Sequence, residues 1–130
     1  MSRVAVIGGG PAGIMAAAAA AGCGHDSVLL EKNEKLGKKL FLTGKGRCNI
    51  TNSCDTDDFF ANIPRNPKFL YSALYGFSNT DIVELINANG VPTKVERGKR
   101  IFPASDKSSD VIKALARHLN NSGAELRLNT

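Results

Sequence analysis

An α/β domain built on a parallel sheet is what this sequence predicts, and three observations predict it. Val4-Ala5-Val6-Ile7 is a continuous apolar run closed by glycines, the pattern of a strand covered on both faces. Gly8-Gly9-Gly10-Pro11-Ala12-Gly13 then opens an alanine-rich stretch. A second buried strand, Ser27 to Glu31, completes strand, helix and strand within residues 2–31, which fits one right-handed βαβ crossover of the Rossmann-like kind.

The elements follow in order. The first strand is expected at residues 3–7 and the first helix at 11–21, with Pro11 at its opening, where a missing N–H is harmless, and Gly22 and Gly24 stopping it. After the strand at 27–31, residues 32–66 read as an irregular excursion rich in Lys, Gly, Asn and Asp, with one helical turn near 35–42. Residues 67–107 hold helices and a hairpin. One helix covers 67–75; a second starts at Ser78, three positions before Asp81 in a capping-box arrangement, carries Ile82, Leu85 and Ile86 on one face, and ends at Gly90. Strands at 92–96 and 100–102 meet through Arg97-Gly98-Lys99. Residues 108–130 supply a helix capped by Ser108 or Ser109, with Val111, Ile112, Leu115 and Leu119 on one face and Gly123 at its end, and then a third parallel strand at 124–128. That strand lies so near Thr130 that the chain reads as the N-terminal portion of a longer protein, and its open sheet edge invites self-association.

Composition narrows the function classes. At 130 residues, 42% hydrophobic and 22% charged, the chain suits one soluble globular domain. Its net charge of +5 is concentrated in Lys32, Lys35, Lys38, Lys39, Lys45 and Arg47 after the second strand, and in Lys94, Arg97, Lys99 and Arg100 around the hairpin. Aromatic residues make up only 6% and Trp is absent, so platforms for stacking bases are scarce, and a diphosphate-bearing cofactor explains the basic balance better than nucleic acid. Cys23, Cys48 and Cys54 are odd in number and lack C-x-x-C spacing, which argues against a disulfide framework or zinc site and for a reducing cytoplasm. The apolar run at 14–21 is too short to span a bilayer. Neither a membrane nor nucleic acid is an expected partner; a small-molecule substrate is.

The glycine loop carries the chemistry. Gly8 permits the tight turn out of the strand, Gly10 lets backbone approach a pyrophosphate, and Gly13 lets the helix lie close to the strands. With Pro11 and Ala12 they form a helix N-terminus that offers free N–H groups and partial positive charge. Glu31 follows Gly13 by 18 positions, the spacing of a carboxylate that accepts hydrogen bonds from an adenosine ribose. That acid would repel a 2′-phosphate, so FAD or NAD is favoured over NADP. A P-loop is excluded at Gly44-Lys45, because Gly46 stands where Ser or Thr must reach magnesium. An NAD-dependent dehydrogenase and a non-catalytic nucleotide- or RNA-binding module remain as alternatives.

Those residues, with Gly37-Lys38-Lys39-Leu40 and the run Thr43-Gly44-Lys45-Gly46-Arg47-Cys48-Asn49-Ile50-Thr51-Asn52, resemble the HI0933-like (YhiN/BaiN-type) flavoproteins. Gly98-Lys99-Arg100-Ile101-Phe102-Pro103 with Ser105-Asp106-Lys107 extends the resemblance over the whole chain. It implies a glutathione-reductase-type FAD domain, bound FAD, flavin-mediated hydride or electron transfer with NAD(P)H as a possible donor, and a longer protein with an inserted substrate domain. In the second motif, Gly44 and Gly46 would bring backbone N–H groups to the cofactor. Arg47 could neutralise pyrophosphate or stabilise reduced flavin, and Asn49 and Thr51 could bond the ring or ribitol. As the alternative, Arg47 and Asn49 could simply tie down a long loop. Lys32, Lys39 and Thr43 complete the candidate set. Cys48 reads as a buried structural thiol, and neither His25 nor His118 has the setting of a catalytic base. No catalytic residue and no metal ligand is assigned.

Overall fold

The computed structural model describes residues 1–130. In chain order it contains β1 (Arg3–Ile7), α1 (Pro11–Gly22), β2 (Asp26–Leu30), α2 (Lys38–Leu42), β3 (Thr51–Asn52), α3 (Thr56–Ala61), α4 (Tyr71–Gly76), α5 (Asn79–Ala88), β4 (Thr93–Glu96), β5 (Arg100–Pro103), α6 (Ser108–Ser122) and β6 (Glu125–Arg127). Two small sheets organise them. The first is parallel in the order β1-β2-β6, with Val6 opposite Leu29 and Leu29 opposite Leu126. The second is antiparallel in the order β3-β5-β4, with Ile101 opposite both Thr51 and Val95.

Helices α1 and α6 pack on each other beside the parallel sheet, and small side chains set their distance: Ala17 and Ala114 are both fully buried. Around them Ile14, Leu29, Ile86, Val111, Leu115 and Leu119 close one core. Ser27 hangs from this packing by donating its hydroxyl to the Ala17 carbonyl at 2.9 Å.

The capping box behaves as its spacing predicts. Ser78 Oγ accepts from the Asp81 amide at 3.2 Å, and Asp81 Oδ2 accepts from the Ser78 amide at 2.7 Å, so two orphan donors are satisfied reciprocally. Gly90 and Gly123, both with positive φ, stand just past α5 and α6. Gly98 and Lys99 take positive φ in the hairpin turn, a single 3₁₀ turn at Arg97–Lys99.

Four expectations need correction. β1 is not covered on both faces: as the edge strand it packs Val6 on the core but leaves Ile7 78% exposed. Neither Ser108 nor Ser109 caps α6. Lys107 holds the cap position, and the fully buried Ser108 donates its hydroxyl across the chain to the Phe41 carbonyl at 2.8 Å, tying α6 to α2. The excursion at 32–66 is more regular than its composition suggests, because Asp55 caps α3 by accepting from the Asp58 amide at 2.9 Å and Thr51–Asn52 pairs with β5. Finally, 67–75 is no single helix; a 3₁₀ turn at Pro67–Leu70 precedes α4.

Candidate functional site

At the carboxyl ends of β1 and β2 the chain must turn from strand to helix within a few residues, and glycines make the turn possible. Gly8 sits at φ +103°, closed to other residues, and donates its amide to the Leu30 carbonyl at 2.8 Å. A Cβ on Gly13 would overlap the Gly8 carbonyl oxygen and lie 3.4 Å from Leu29 Cδ1, so this glycine sets how closely α1 meets the sheet. Gly10 differs: its φ of −80° and ψ of 177° suit any residue, and a Cβ there would meet no atom within 4 Å. The first helical bond runs from the Ile14 amide to the Gly10 carbonyl, and no protein group accepts from the amides of Gly10, Ala12 or Gly13. Those N–H groups lie at the positive end of a twelve-residue helix begun by Pro11, an arrangement that could cradle an anion.

Glu31 lies one residue beyond β2 and folds over the loop. Its Oε2 accepts from the Gly9 amide at 2.6 Å and its Oε1 from the Asn33 amide at 2.7 Å. A carboxylate offers about four lone-pair positions, so each oxygen keeps one for a ligand hydroxyl. The Asn33 amide, and next the Gly9 amide, hold the carboxyl below the usual carboxylate range, against the opposing effect of burial. A depressed pKa means that the interaction is intact above the ordinary carboxylate value and lost only as pH falls through the lowered one. Affinity for an adenine nucleotide should therefore show no Glu31 titration between about pH 8 and about pH 5, measured by fluorescence or calorimetric titration.

Gly9 is a residue that motif reading overlooked. A Cβ there would lie 2.6 Å from Leu36 Cδ2 and 2.9 Å from Glu31 Oε2, and its carbonyl accepts from the Gly37 amide at 2.9 Å. A glycine at the free position between Gly8 and Gly10 was the available signal, since the nucleotide pattern needs only Gly8, Gly10 and Gly13. Asn33 and Leu36 belong to the same structure and leave no sequence signature, whereas Gly37 opens the run Gly37-Lys38-Lys39-Leu40.

Two clefts flank this turn. One, of about 470 Å³, is bordered by Gly8, Gly9 and Gly10, by Glu31 and Lys32, and by Lys39. The other, of about 360 Å³ and largely apolar, is bordered by Pro11 and Met15 of α1, by Lys39 and Thr43, and by Cys48, Asn49 and Ile50. Lys39 borders both, and Gly10 and Pro11 are sequence neighbours across the divide.

Segment 43–50 reaches the second cleft through an unusual backbone. Gly44, Lys45, Gly46 and Cys48 all have positive φ, and a Cβ on Gly44 would lie 2.9 Å from the Asn49 amide nitrogen. Thr43 donates its hydroxyl to the Leu40 carbonyl at 2.7 Å. With its amide oriented to donate, Asn49 reaches the carbonyls of Thr51 and Ile101 at 3.0 and 3.2 Å, while Thr51 pairs with β5 and borders neither cleft. Asn49 and Thr51 thus tie the segment to the second sheet, although Asn49 also borders the apolar cleft.

Arg47 departs furthest from its expected place at a pyrophosphate or reduced ring. Its Nε and Nη2 donate to Asp106 Oδ1 at 2.9 and 2.7 Å, Nη2 also bonds Glu96 Oε2, and the guanidinium lies 4.1 Å from the Phe102 ring centroid. Two hairpin-side carboxylates and an aromatic face outcompete the loop for this cation. The Arg47 guanidinium, then Lys94, holds the Glu96 carboxyl below its ordinary range, and Lys94, then Arg47, does the same for Asp106. Burial pushes the Cys48 thiol up, against a hydrogen bond with Thr43, which suits a structural thiol and not a reactive thiolate. All three cysteines are free.

The family model described as HI0933-like protein Rossmann domain matches residues 2–130. Over 121 residues the chain is 38% identical to a 3-dehydro-bile acid delta(4,6)-reductase of Clostridium scindens, covering 92% of this chain and 29% of that protein. Over 123 residues it is 29% identical to a ribosomal RNA dihydrouridine synthase of Escherichia coli, covering 95% of this chain and 30% of that one. The chain thus spans under a third of the curated relatives it matches. Among solved structures, Thermovibrio ammonificans THI4 shares the fold at a TM-score of 0.61 and 16% identity, over 97% of this chain and 38% of that one.

Proposed function

This chain belongs to the HI0933-like protein Rossmann domain family, and from that premise we propose that it supplies the ADP-binding part, and one wall of the flavin side, of the FAD site of an oxidoreductase. The observation that carries the proposal is the adjacency, at a single helix N-terminus, of a cleft bordered by glycines, lysines and Glu31 and a cleft bordered mainly by hydrophobic side chains, with Lys39 bordering both. FAD is a molecule of matching division: a polar adenosine diphosphate joined to a flat, largely apolar ring system. In this reading Glu31 accepts from the ribose hydroxyls, and the amides of Gly10, Ala12 and Gly13 take the pyrophosphate with Lys32 and Lys39 beside them. Gly44 and Gly46 shape the segment that presents Thr43 and Asn49 to the apolar cleft.

When bound, FAD supplies hydride or electron transfer, and NAD(P)H is the donor we propose for it. The residues of this chain bind, orient and exclude water. Lys39 balances phosphate charge at the junction, and Met15, Ile50 and Cys48 keep the second cleft dry. Reductive chemistry on a small unsaturated molecule is the reaction class we favour, in keeping with the reductase among the relatives.

Titration of the purified chain with FAD, ADP and NAD tests the proposal. FAD should bind more tightly than ADP, because the second cleft adds contacts that ADP lacks, and bound flavin should show shifted absorption bands. Tight NAD binding with no flavin binding would instead establish the dehydrogenase reading. Glu31→Gln should weaken ADP and FAD alike, by about ten-fold, because a neutral amide cannot accept from Gly9, Asn33 and a ribose together.

A further inference from the structure

Segment 43–50 walls the apolar cleft yet is poorly suited to hold its own shape. Lys45 and Cys48 take left-handed conformations that side chains disfavour, and the stretch contains neither a long helix nor a sheet ladder. Beyond the short 3₁₀ turn at Thr43–Gly46, its local backbone bonds run from the Arg47 amide to the Gly44 carbonyl at 3.2 Å and from the Cys48 amide to the Thr43 carbonyl at 3.1 Å. Something outside the segment must impose the geometry.

The segment's far end is tied to β5 by Asn49 and by the Ile50 amide, which donates to the Ile101 carbonyl at 2.8 Å, and its middle is held by a four-charge cluster on the β4–β5 side. Lys94 Nζ contacts Asp106 Oδ2 at 2.7 Å and Glu96 Oε2 at 3.2 Å, and Arg47 bonds the same two carboxylates. Each carboxylate therefore faces both cations, and the charges balance. A lone exposed pair would contribute little, but a closed quartet with a forked guanidinium stacked on Phe102 restricts where Arg47 can be. Asp106 is itself at φ +59°, so the acceptor is held in a disfavoured conformation too. Arg47 immediately precedes Cys48, Asn49 and Ile50, the three residues that the segment's end presents to the cleft.

We propose that Arg47, Glu96, Asp106 and Lys94 form a latch that positions segment 43–50 as the wall of the apolar cleft, so that Arg47 is a positioning residue and not a phosphate ligand. The inference rests on the proposed FAD site and adds that flavin-side affinity is controlled from the hairpin, outside either cleft.

Asp106→Asn combined with Glu96→Gln opens the latch and leaves Arg47 in place. In that variant FAD affinity should fall about ten-fold while ADP affinity stays within about two-fold, because only the flavin side loses its wall. Amide hydrogen exchange at Arg47 and Cys48 should accelerate, with exchange at Val28 and Leu29 unchanged. Arg47→Lys should keep part of the FAD affinity that Arg47→Met loses. If Arg47 were a direct phosphate ligand, freeing it from its carboxylates would leave FAD binding equal or tighter, and that result would overturn the proposal. A wild-type chain that binds ADP but not FAD refutes the FAD reading alone. The latch is then judged by exchange: faster exchange in the double variant upholds it, and unchanged protection refutes it.

Discussion

Purified Gly10→Val protein will melt like the wild type and bind no FAD. Valine is tolerated by the fold because Gly10 already has the extended backbone a β-branched residue prefers, and its Cβ would enter open space. That space is the approach to the unpaired amides of Gly10, Ala12 and Gly13, where a diphosphate must come within about 3 Å of nitrogen. An isopropyl group there displaces the phosphates, and losing several charge-assisted hydrogen bonds together costs about 3 kcal/mol or more, at least a hundred-fold in affinity. Both ADP and FAD should be lost, in contrast to the latch variants. Retention of ordinary FAD affinity by a folded Gly10→Val protein would refute the placement of the pyrophosphate.

Gly13→Ala should have the opposite signature, a folding defect first and a binding defect only as its consequence. The added methyl group collides with the carbonyl oxygen of Gly8, which is backbone and cannot rotate away, and presses on Leu29, a fully buried core residue. Either α1 lifts from the sheet or the turn at Gly8 opens, and both disturb the packing of Ile14 and Ala17. Overpacking of this kind costs about 2–4 kcal/mol, a drop of roughly 10 °C in Tm for a domain of this size. Differential scanning calorimetry would show it. An unchanged Tm would mean that the close approach of α1 to β1 and β2 is not what Gly13 serves.

These glycines stand three positions apart in one motif, yet the structure gives only Gly13 a packing reason and leaves open space at Gly10. The motif predicts the close approach of helix and strands at Gly13, and the Gly8 carbonyl and Leu29 supply it. Gly9 went unrecognised because its neighbour Leu36 is brought over it only by the chain returning from β2.

Local chemistry was legible wherever the partners are close in sequence. Ser78 and Asp81 are three residues apart, so their reciprocal bonds could be read directly, and Gly90 and Gly123 end their helices for reasons that involve only their own backbone. The acid at Glu31, at a fixed distance from the glycine loop, followed from the same logic, because a βαβ unit has little freedom in length.

Long-range competition decided the rest. Ser108 looks like a cap, but a carbonyl 67 positions away claims its hydroxyl. Arg47 looks like a phosphate ligand, but Glu96 and Asp106, 49 and 59 positions away, claim its guanidinium. The strand at Arg3–Ile7 looks buried on both sides, but strand order places it at a sheet edge. By itself, then, the amino-acid order determined the βαβ unit, its glycine turn and the acid that folds over that turn, since sterics and spacing within thirty-one residues suffice for them. Only tertiary structure decided which donors and acceptors the excursion residues would meet, because a polar side chain takes the partner that folding brings nearest, and sequence distance does not measure that.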